Sequence, residues 1–223
     1  MKTLNLEQIL KIQLSATAIF ALLALFSVIC VDRNLTIMIH NYGMDAWMLR
    51  HGLRHITEGL PLALPFAYLV LISFKKPTID VGYRMVYIIY LYSLTKFTIL
   101  CKQELKILFG RYWPSTWSHN NLSLIHDGVY GFDWFHGTNS SFPSGHSTFV
   151  AIICLSLALI YPRLRYWCYA LIAVMVISLV TLNYHFLGDC FAGIALANLF
   201  AILGLILYRY GYFKIRKLFI RLA

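Results

Sequence analysis

Two short segments of this chain carry residues whose types and spacing suit chemistry on a phosphate group. The first is the Pro-Ser-Gly-His sequence at 143–146, and the second holds His185 and, four residues later, Asp189. Residues four apart lie on one face of a helix, so Asp189 can accept a hydrogen bond from one ring nitrogen of His185. This bond fixes the imidazole tautomer and raises the basicity of the other nitrogen. The pair therefore suits a histidine nucleophile that attacks phosphorus.

The segment 143–146 has the pattern of a helix start. Proline is well placed at the first helical position, and glycine lets a backbone approach a ligand closely. The free N–H groups and the positive dipole end of a helix N-terminus suit a bound phosphate. Either the backbone at Ser144 and Gly145 binds a phosphate, with His146 beside the anion and able to donate a proton, or the segment is only a helix cap followed by a histidine.

A third segment supplies positive charge. Lys106 and Arg111 lie in a stretch that ends at Pro114. Phosphoryl transfer requires cations, because negative charge spreads over the non-bridging oxygens in the transition state. Either Lys106 and Arg111 bind the phosphate, or they are two charges that flank a membrane span; the positive-inside rule would place such flanking charges on the other side of the membrane.

Together these segments closely resemble the motifs of the type-2 phosphatidic acid phosphatase superfamily, which includes membrane lipid phosphatases, glucose-6-phosphatases and vanadium haloperoxidases. That family carries Lys-x-x-x-x-x-x-Arg-Pro, then Pro-Ser-Gly-His, then Ser-Arg-x-x-x-x-x-His-x-x-x-Asp, in this order. Here the second motif is complete, and Ser178, His185 and Asp189 have the spacing of the third. Lys106 and Pro114 match the two ends of the first motif.

The resemblance implies a lipid phosphate phosphohydrolase that forms a phosphohistidine at His185. Asp189 would orient this nucleophile, and His146 would protonate the leaving alcohol. Lys106 and the backbone of residues 144–145 would hold the phosphate, and neither a metal nor a cofactor is expected. The motifs leave two alternatives open. One is a lipid phosphotransferase that uses the same intermediate, and the other is a non-hydrolytic membrane transporter or lipid-binding homologue.

Two positions depart from the family pattern. Trp113 and Leu179 stand where the first and third motifs have arginine. Arginine clamps phosphate through two parallel hydrogen bonds, which neither tryptophan nor leucine can make. We predict Arg111 as the replacement, with Lys102 as another candidate.

Membrane helices must position these segments. The chain has 223 residues, of which 60% are hydrophobic and 13% charged, about half the charged share of a soluble protein. Apolar runs near 20 residues indicate membrane spans. The predicted spans lie near 13–31, 57–74, 84–101, 144–161, 166–184 and 188–208. We expect one all-α membrane domain of six helices over 1–223, with possible interfacial helices at 3–12 and 209–223.

The basic residues orient this bundle. The net charge of +10 is not gathered into one stripe, so we expect a lipid bilayer and a membrane lipid phosphate as partners and no nucleic acid. Twelve lysines and arginines fall on the side of both termini and six on the other side. The positive-inside rule then places the termini in the cytoplasm and the predicted site at the extracytoplasmic face. We predict a multi-pass protein of the inner (cytoplasmic) membrane of a bacterium.

Overall fold

The computed structural model describes residues 6–44, 47–73, 81–116, 120–137 and 139–222, with side chains described outside 47–51, 68–73, 81–88, 160 and 208–222. Its α-helices are α1 (Leu6–Phe26), α2 (Asp32–Asn41), α3 (Trp47–Ser73), α4 (Val81–Phe109), α5 (Leu124–Asp127), α6 (Gly145–Ile160), α7 (Arg165–Thr181) and α8 (Leu187–Leu222). Over the described residues, β pairing is confined to two isolated bridges in the loops. The predicted all-α class is therefore confirmed for this part of the chain.

The long helices overlap the predicted spans. Within the part of the chain that the structure describes, three continuous segments are long and apolar enough to cross a membrane, namely Leu6–Asn41, Pro162–Thr181 and Leu187–Leu207. A shorter apolar helix runs over Gly145–Leu159. These segments support an integral membrane protein, and the crossing of the membrane by six helices stays a prediction.

Both predicted interfacial helices are continuous with long helices. Residues 6–12 form the start of α1, and residues 209–222 form the end of α8, without a break in either case. Residues 3–5 and 223 lie outside the described part of the chain. Each predicted surface segment is thus an extension of a neighbouring helix, and its position at a membrane surface stays a prediction.

A π-helical turn, Ser27–Val31, joins α1 to α2. Such a turn changes the direction in which the following side chains point and occurs frequently at functional sites. The Val28 carbonyl in this turn accepts a hydrogen bond of 2.6 Å from the Tyr130 hydroxyl. Directly after the turn, Asp32 begins α2 and is only 1% exposed. The turn therefore directs a carboxylate into the protein from the end of an apolar helix.

The core is centred on α6, which contacts α3, α4, α7 and α8, while α1 packs along α8. Small residues let membrane helices approach closely. Gly193 of α8 shows this, since a Cβ placed there would lie 2.8 Å from the carbonyl oxygen of Ser144 and 2.9 Å from Oγ1 of Thr148. The start of α6 is thus held directly against the backbone of α8.

We expect Gly193→Ala to destabilise the protein, because its methyl group meets backbone that must shift. Overpacking of this kind costs about 1–3 kcal/mol, which lowers the thermal unfolding midpoint in detergent by several degrees. Gly59→Ala in α3 is the matched control, since a Cβ there meets nothing within 4 Å. Equal midpoints for the two variants would contradict the close approach of α6 and α8.

Candidate active site

A cavity of about 800 Å³ lies between α3, α4 and α6 and reaches the turn before α8. Near the start of α6, its lining includes Lys102, Lys106, Trp113, Gly145, His146 and His185. Residues that the sequence separates by up to 83 positions therefore meet at one place. The predicted site residues Ser144, Asp189 and Arg111 lie outside this lining.

His185 is held in a tight turn between α7 and α8. Asn183 has a φ of +53°, a left-handed conformation that asparagine adopts more readily than most residues. The next two N–H groups, of Tyr184 and His185, both donate to the carbonyl of Leu179, at 2.9 and 3.3 Å. Leu179, at a family arginine position, therefore helps to form the turn through its backbone, while its side chain is buried in the core.

Asp189 lies behind His185, in the first turn of α8. One carboxylate oxygen, Oδ2, accepts a hydrogen bond of 3.1 Å from the N–H of Phe186 and lies 3.5 Å from Nδ1 of His185. The second distance is long for a hydrogen bond, and Nδ1 has no closer partner among the described residues. Catalytic hydrogen bonds are often long without substrate and shorten when it binds. Nε2, on the opposite side of the ring, is then the nitrogen left for the cavity.

Burial also sets the charge of His185. The side chain is 3% exposed, and burial lowers its pKa below the ordinary histidine value, against the opposing effect of the Asp189 carboxylate. The imidazole is therefore neutral at neutral pH. Only this neutral form has the free electron pair that a nucleophile needs.

The second histidine and the two lysines face His185 across the cavity. The rings of His146 and His185 meet edge to face with their centroids 6.2 Å apart. Lys102 and Lys106 are four residues apart and so share one face of α4. A Cβ placed on Gly145 would lie 3.5 Å from Nζ of Lys102, so this ammonium group lies at the start of α6.

The start of α6 offers backbone donors, but the N–H of Ser144 is already used. It donates to the carbonyl of Asp189 at 3.0 Å, and the Ser144 hydroxyl accepts from the N–H of Ser147 at 3.3 Å. The predicted phosphate contact of Ser144 is therefore replaced by a bond that ties α6 to α8. Gly145 and His146 are the first helical residues, whose N–H groups have no acceptor within the helix. Both line the cavity.

Arg111 is the predicted phosphate ligand whose position differs most from expectation. Its side chain is fully buried, with Nη1 2.5 Å from Oδ1 of Asp189 and Nη2 2.8 Å from Oδ2 of Asp32. The guanidinium also lies 4.3 Å over the ring of Phe186. Arg111 thus binds both Asp189 and Asp32 on the side of Asp189 that faces away from the cavity. It therefore does not replace the missing arginines at the cavity. Lys102, the other candidate, does line the cavity.

Asp32 is a residue of this cluster that no sequence motif identifies. A lone acidic residue at the end of an apolar run was the available signal, since such residues are costly in a membrane and usually have a function. No motif contains it, and its partners are distant in the sequence. Only the fold brings it to Arg111 and to the start of α8.

Trp113 forms a wall of the site at the other family arginine position. Its ring lies 5.1 Å from the imidazole of His185, at an angle of 35°. Its indole N–H donates to the carbonyl of Asn139 at 2.6 Å. Nζ of Lys106 lies 5.1 Å from the same ring, and this ammonium group donates to the carbonyl of Ser140. Trp113 therefore contacts both a predicted nucleophile and a predicted phosphate ligand.

Comparison with known proteins identifies the class to which this fold and site belong. A sequence model of the PAP2 superfamily matches residues 86–213, more than half of the chain. The chain belongs to the PAP2 superfamily, which confirms the resemblance drawn from the motifs.

Individual relatives are phosphatases by name. The chain is 33% identical over 122 residues to lipid A 1-phosphatase of Rhizobium etli, covering 53% of this chain and 49% of that protein. It is 32% identical over 122 residues to lipid A 1-phosphatase of Rhizobium johnstonii, covering 53% and 47%. The chain thus spans about half the length of these curated relatives.

The fold is similar to the crystal structure of the first transmembrane PAP2 type phosphatidylglycerolphosphate phosphatase from Bacillus subtilis. The TM-score is 0.55 at 17% identity, and the match covers 89% of this chain and 96% of that one. At this sequence identity, the likeness concerns the fold alone.

Inorganic phosphate should bind in this cavity and raise the thermal unfolding midpoint in detergent. The substitution Lys102→Met removes one cation from the cavity. It should weaken phosphate binding about tenfold, since one hydrogen bond to a charged group contributes about 1.5–3 kcal/mol. Lys11→Met removes the same charge from an exposed pair with Glu7 and should leave the phosphate Kd unchanged. An unchanged Kd in Lys102→Met would exclude this lysine as a phosphate ligand.

Proposed function

We propose that this protein is a membrane lipid phosphatase that hydrolyses a lipid phosphate monoester or pyrophosphate through a phosphohistidine on His185. The observation that carries the proposal is the placement of His185. A buried, neutral imidazole with Asp189 behind it faces His146 and two lysines across one cavity. Family membership supports the same chemistry.

In the first step, Nε2 of His185 attacks phosphorus and the bond to the leaving oxygen breaks. His146, which is protonated when the phosphate anion is bound beside it, gives its proton to that oxygen, which leaves as an alcohol or, from a pyrophosphate, as a phosphate. The Nδ1–H of His185 stays directed at Asp189, which stabilises the positive charge that the ring acquires. In the second step, His146 takes a proton from water, whose oxygen attacks the phosphohistidine. Inorganic phosphate leaves and His185 is regenerated.

The chain's own groups supply the positive charge that this reaction needs. Lys102 and Lys106 neutralise the non-bridging oxygens, and the N–H groups of Gly145 and His146 at the helix start point at the same position. Lysine contributes a point charge without the fixed fork of arginine. We therefore expect two lysines to perform the role of the family arginines, and we expect activity without a divalent metal.

The remainder of the cavity favours a lipid substrate. Away from the two histidines the lining is mainly apolar, with Pro61, Leu62 and Pro65 from α3 and Leu91 and Ile99 from α4, although Lys96 of α4 also lines this part. Leu62 is 69% exposed although it lines the cavity, so the cavity opens at the side of the bundle. An opening at the side gives acyl chains direct access from a bilayer.

The relatives indicate the substrate to test first. Both curated relatives are named lipid A 1-phosphatase, so we propose the 1-phosphate of a lipid A-type glycolipid as the leading substrate. Phosphatidylglycerophosphate and phosphatidate extend the panel with a phosphate monoester on a different lipid, and undecaprenyl pyrophosphate tests a pyrophosphate.

We further propose that six helices cross the inner membrane of a bacterium, with both termini in the cytoplasm. The twofold excess of basic residues on the side of the termini supports this orientation. The cavity and its histidines then face the periplasm or the exterior, at the depth of the lipid headgroups.

His185→Ala should lower phosphate release from the best lipid of the panel at least a thousandfold, because it removes the nucleophile. The assay uses detergent-dispersed lipid with excess EDTA, and wild-type activity should persist under this condition. His136→Ala, at an exposed side chain in the loop before α6, should retain wild-type activity. Equal rates for His185→Ala and wild type would contradict the proposed function.

Leu62→Trp should narrow the opening at the side of the cavity without touching the phosphate site. We expect KM for a long-chain lipid phosphate to rise about tenfold, while kcat/KM for a short water-soluble phosphate ester stays within twofold. Leu100→Trp is the control, because Leu100 is 64% exposed on α4 outside the cavity. Equal losses for both substrates would show that the opening does not serve acyl chains.

A further inference from the structure

We propose that Asp32 and Arg111 are positioning residues of this site, which together hold Asp189 in the orientation that His185 needs. The inference rests on the proposed role of His185 and Asp189 in phosphoryl transfer. It adds the first helical segment to the site, because Asp32 begins α2.

The first observation is the way in which Asp189 divides its two oxygens. Oδ1 accepts from Nη1 of Arg111 at 2.5 Å. Oδ2 accepts from the N–H of Phe186 at 3.1 Å and faces Nδ1 of His185 at 3.5 Å. A rotation of the carboxylate would break the first two bonds. The partners on the protein side therefore fix the oxygen that faces the nucleophile.

The second observation is that Asp32 occupies the other arm of the same guanidinium. Nη2 of Arg111 donates to Oδ2 of Asp32 at 2.8 Å and also lies 3.2 Å from the hydroxyl of Tyr130. A guanidinium that has one carboxylate partner favours the bidentate form, with two parallel bonds to both oxygens. Such a pair with Asp189 would take Oδ2 away from His185. Asp32 prevents this by binding the second arm.

The third observation is that Asp32 also fixes the start of α8. Its Oδ1 accepts from the N–H of Gly188 at 2.9 Å, and a carboxylate is favourable at a helix N-terminus. A Cβ on Gly188 would lie 2.7 Å from Oδ2 of Asp32 and 3.1 Å from the carbonyl of Ala24. Only glycine lets the first helical segment come this close to the residue before Asp189.

The π-helical turn prepares Asp32 for both contacts. The Tyr130 hydroxyl donates to the Val28 carbonyl in that turn and accepts from Arg111. Tyr130, which lies in the loop before α6, thus connects the π-helical turn to the guanidinium of Arg111. Asp32, Arg111 and Tyr130 form a connected set behind Asp189, and none of the three lines the cavity.

Asp32→Asn should lower kcat about 10- to 100-fold, the range seen when a group behind a metal ligand is lost. KM and the Kd for inorganic phosphate should stay within threefold, because misplacing the nucleophile affects the transition state and leaves ground-state binding intact. The rate of phosphohistidine formation in a single turnover should fall by the same factor as kcat. Glu7→Gln removes an exposed carboxylate from the same helical segment and should change none of these values.

Gly188→Ala tests the inference without removing a charge, since its methyl group displaces the Asp32 carboxylate. We expect the same loss confined to kcat, with the unfolding midpoint of each variant recorded in detergent. The inference is wrong if both variants keep kcat within twofold. It is equally wrong if the fall in kcat is fully explained by a smaller folded fraction of the protein or by a weaker Kd for inorganic phosphate. The His185→Ala variant distinguishes failure of this inference from failure of the proposed function. If the proposed function is wrong, His185→Ala stays active, whatever the activity of Asp32→Asn.

Discussion

The buried guanidinium of Arg111 and the two carboxylates that engage it are the contact on which the rest of the site depends. Each of the three side chains is fully buried, and a buried charge without a partner costs several kcal/mol. The three charges come from α2, from the loop after α4 and from α8. These elements cannot separate without leaving a charge unpaired. A charge cluster of this kind therefore fixes the register between the first helical segment and the last one.

This constraint explains how the site distributes its cations. The planar fork of an arginine suits two carboxylates, and here Arg111 is used for that purpose behind Asp189. The lysines face the cavity instead, where Lys102 lies beside the start of α6 and Lys106 beside Trp113. Asp189 lies between Arg111 on one side and the cavity with its lysines on the other. Its carbonyl also accepts the N–H of Ser144, so α8 positions the start of α6 as well as the imidazole.

Much of this arrangement could be predicted from the sequence, and the remainder depends on contacts across the fold. Apolar runs predict the long helices, and the four-residue spacing of His185 and Asp189 predicts their pairing because it needs only local geometry. The role of Arg111 could not be read in this way. A cation near a phosphate motif suits an anion and a carboxylate equally well, and its partner Asp32 lies 79 residues away. The orientation of Asp32 depends in turn on a π-helical turn, for which Ser27–Val31 carries no distinctive sequence signal.

Helix α4 connects the region of this charge cluster with the apolar part of the cavity. Leu91, Thr95, Ile99, Lys102 and Lys106 all line the cavity, and their spacing of three or four residues places them on one face of the helix. With a rise of about 1.5 Å per residue, the apolar end of this face lies roughly 16 Å from Lys102. Under the proposed function, one helix face therefore offers apolar contact to acyl chains and positive charge to the phosphate of the same substrate. Because Lys102 meets the start of α6, which α8 holds through Asp189, the cluster behind the histidine also fixes the position of this end of the cavity.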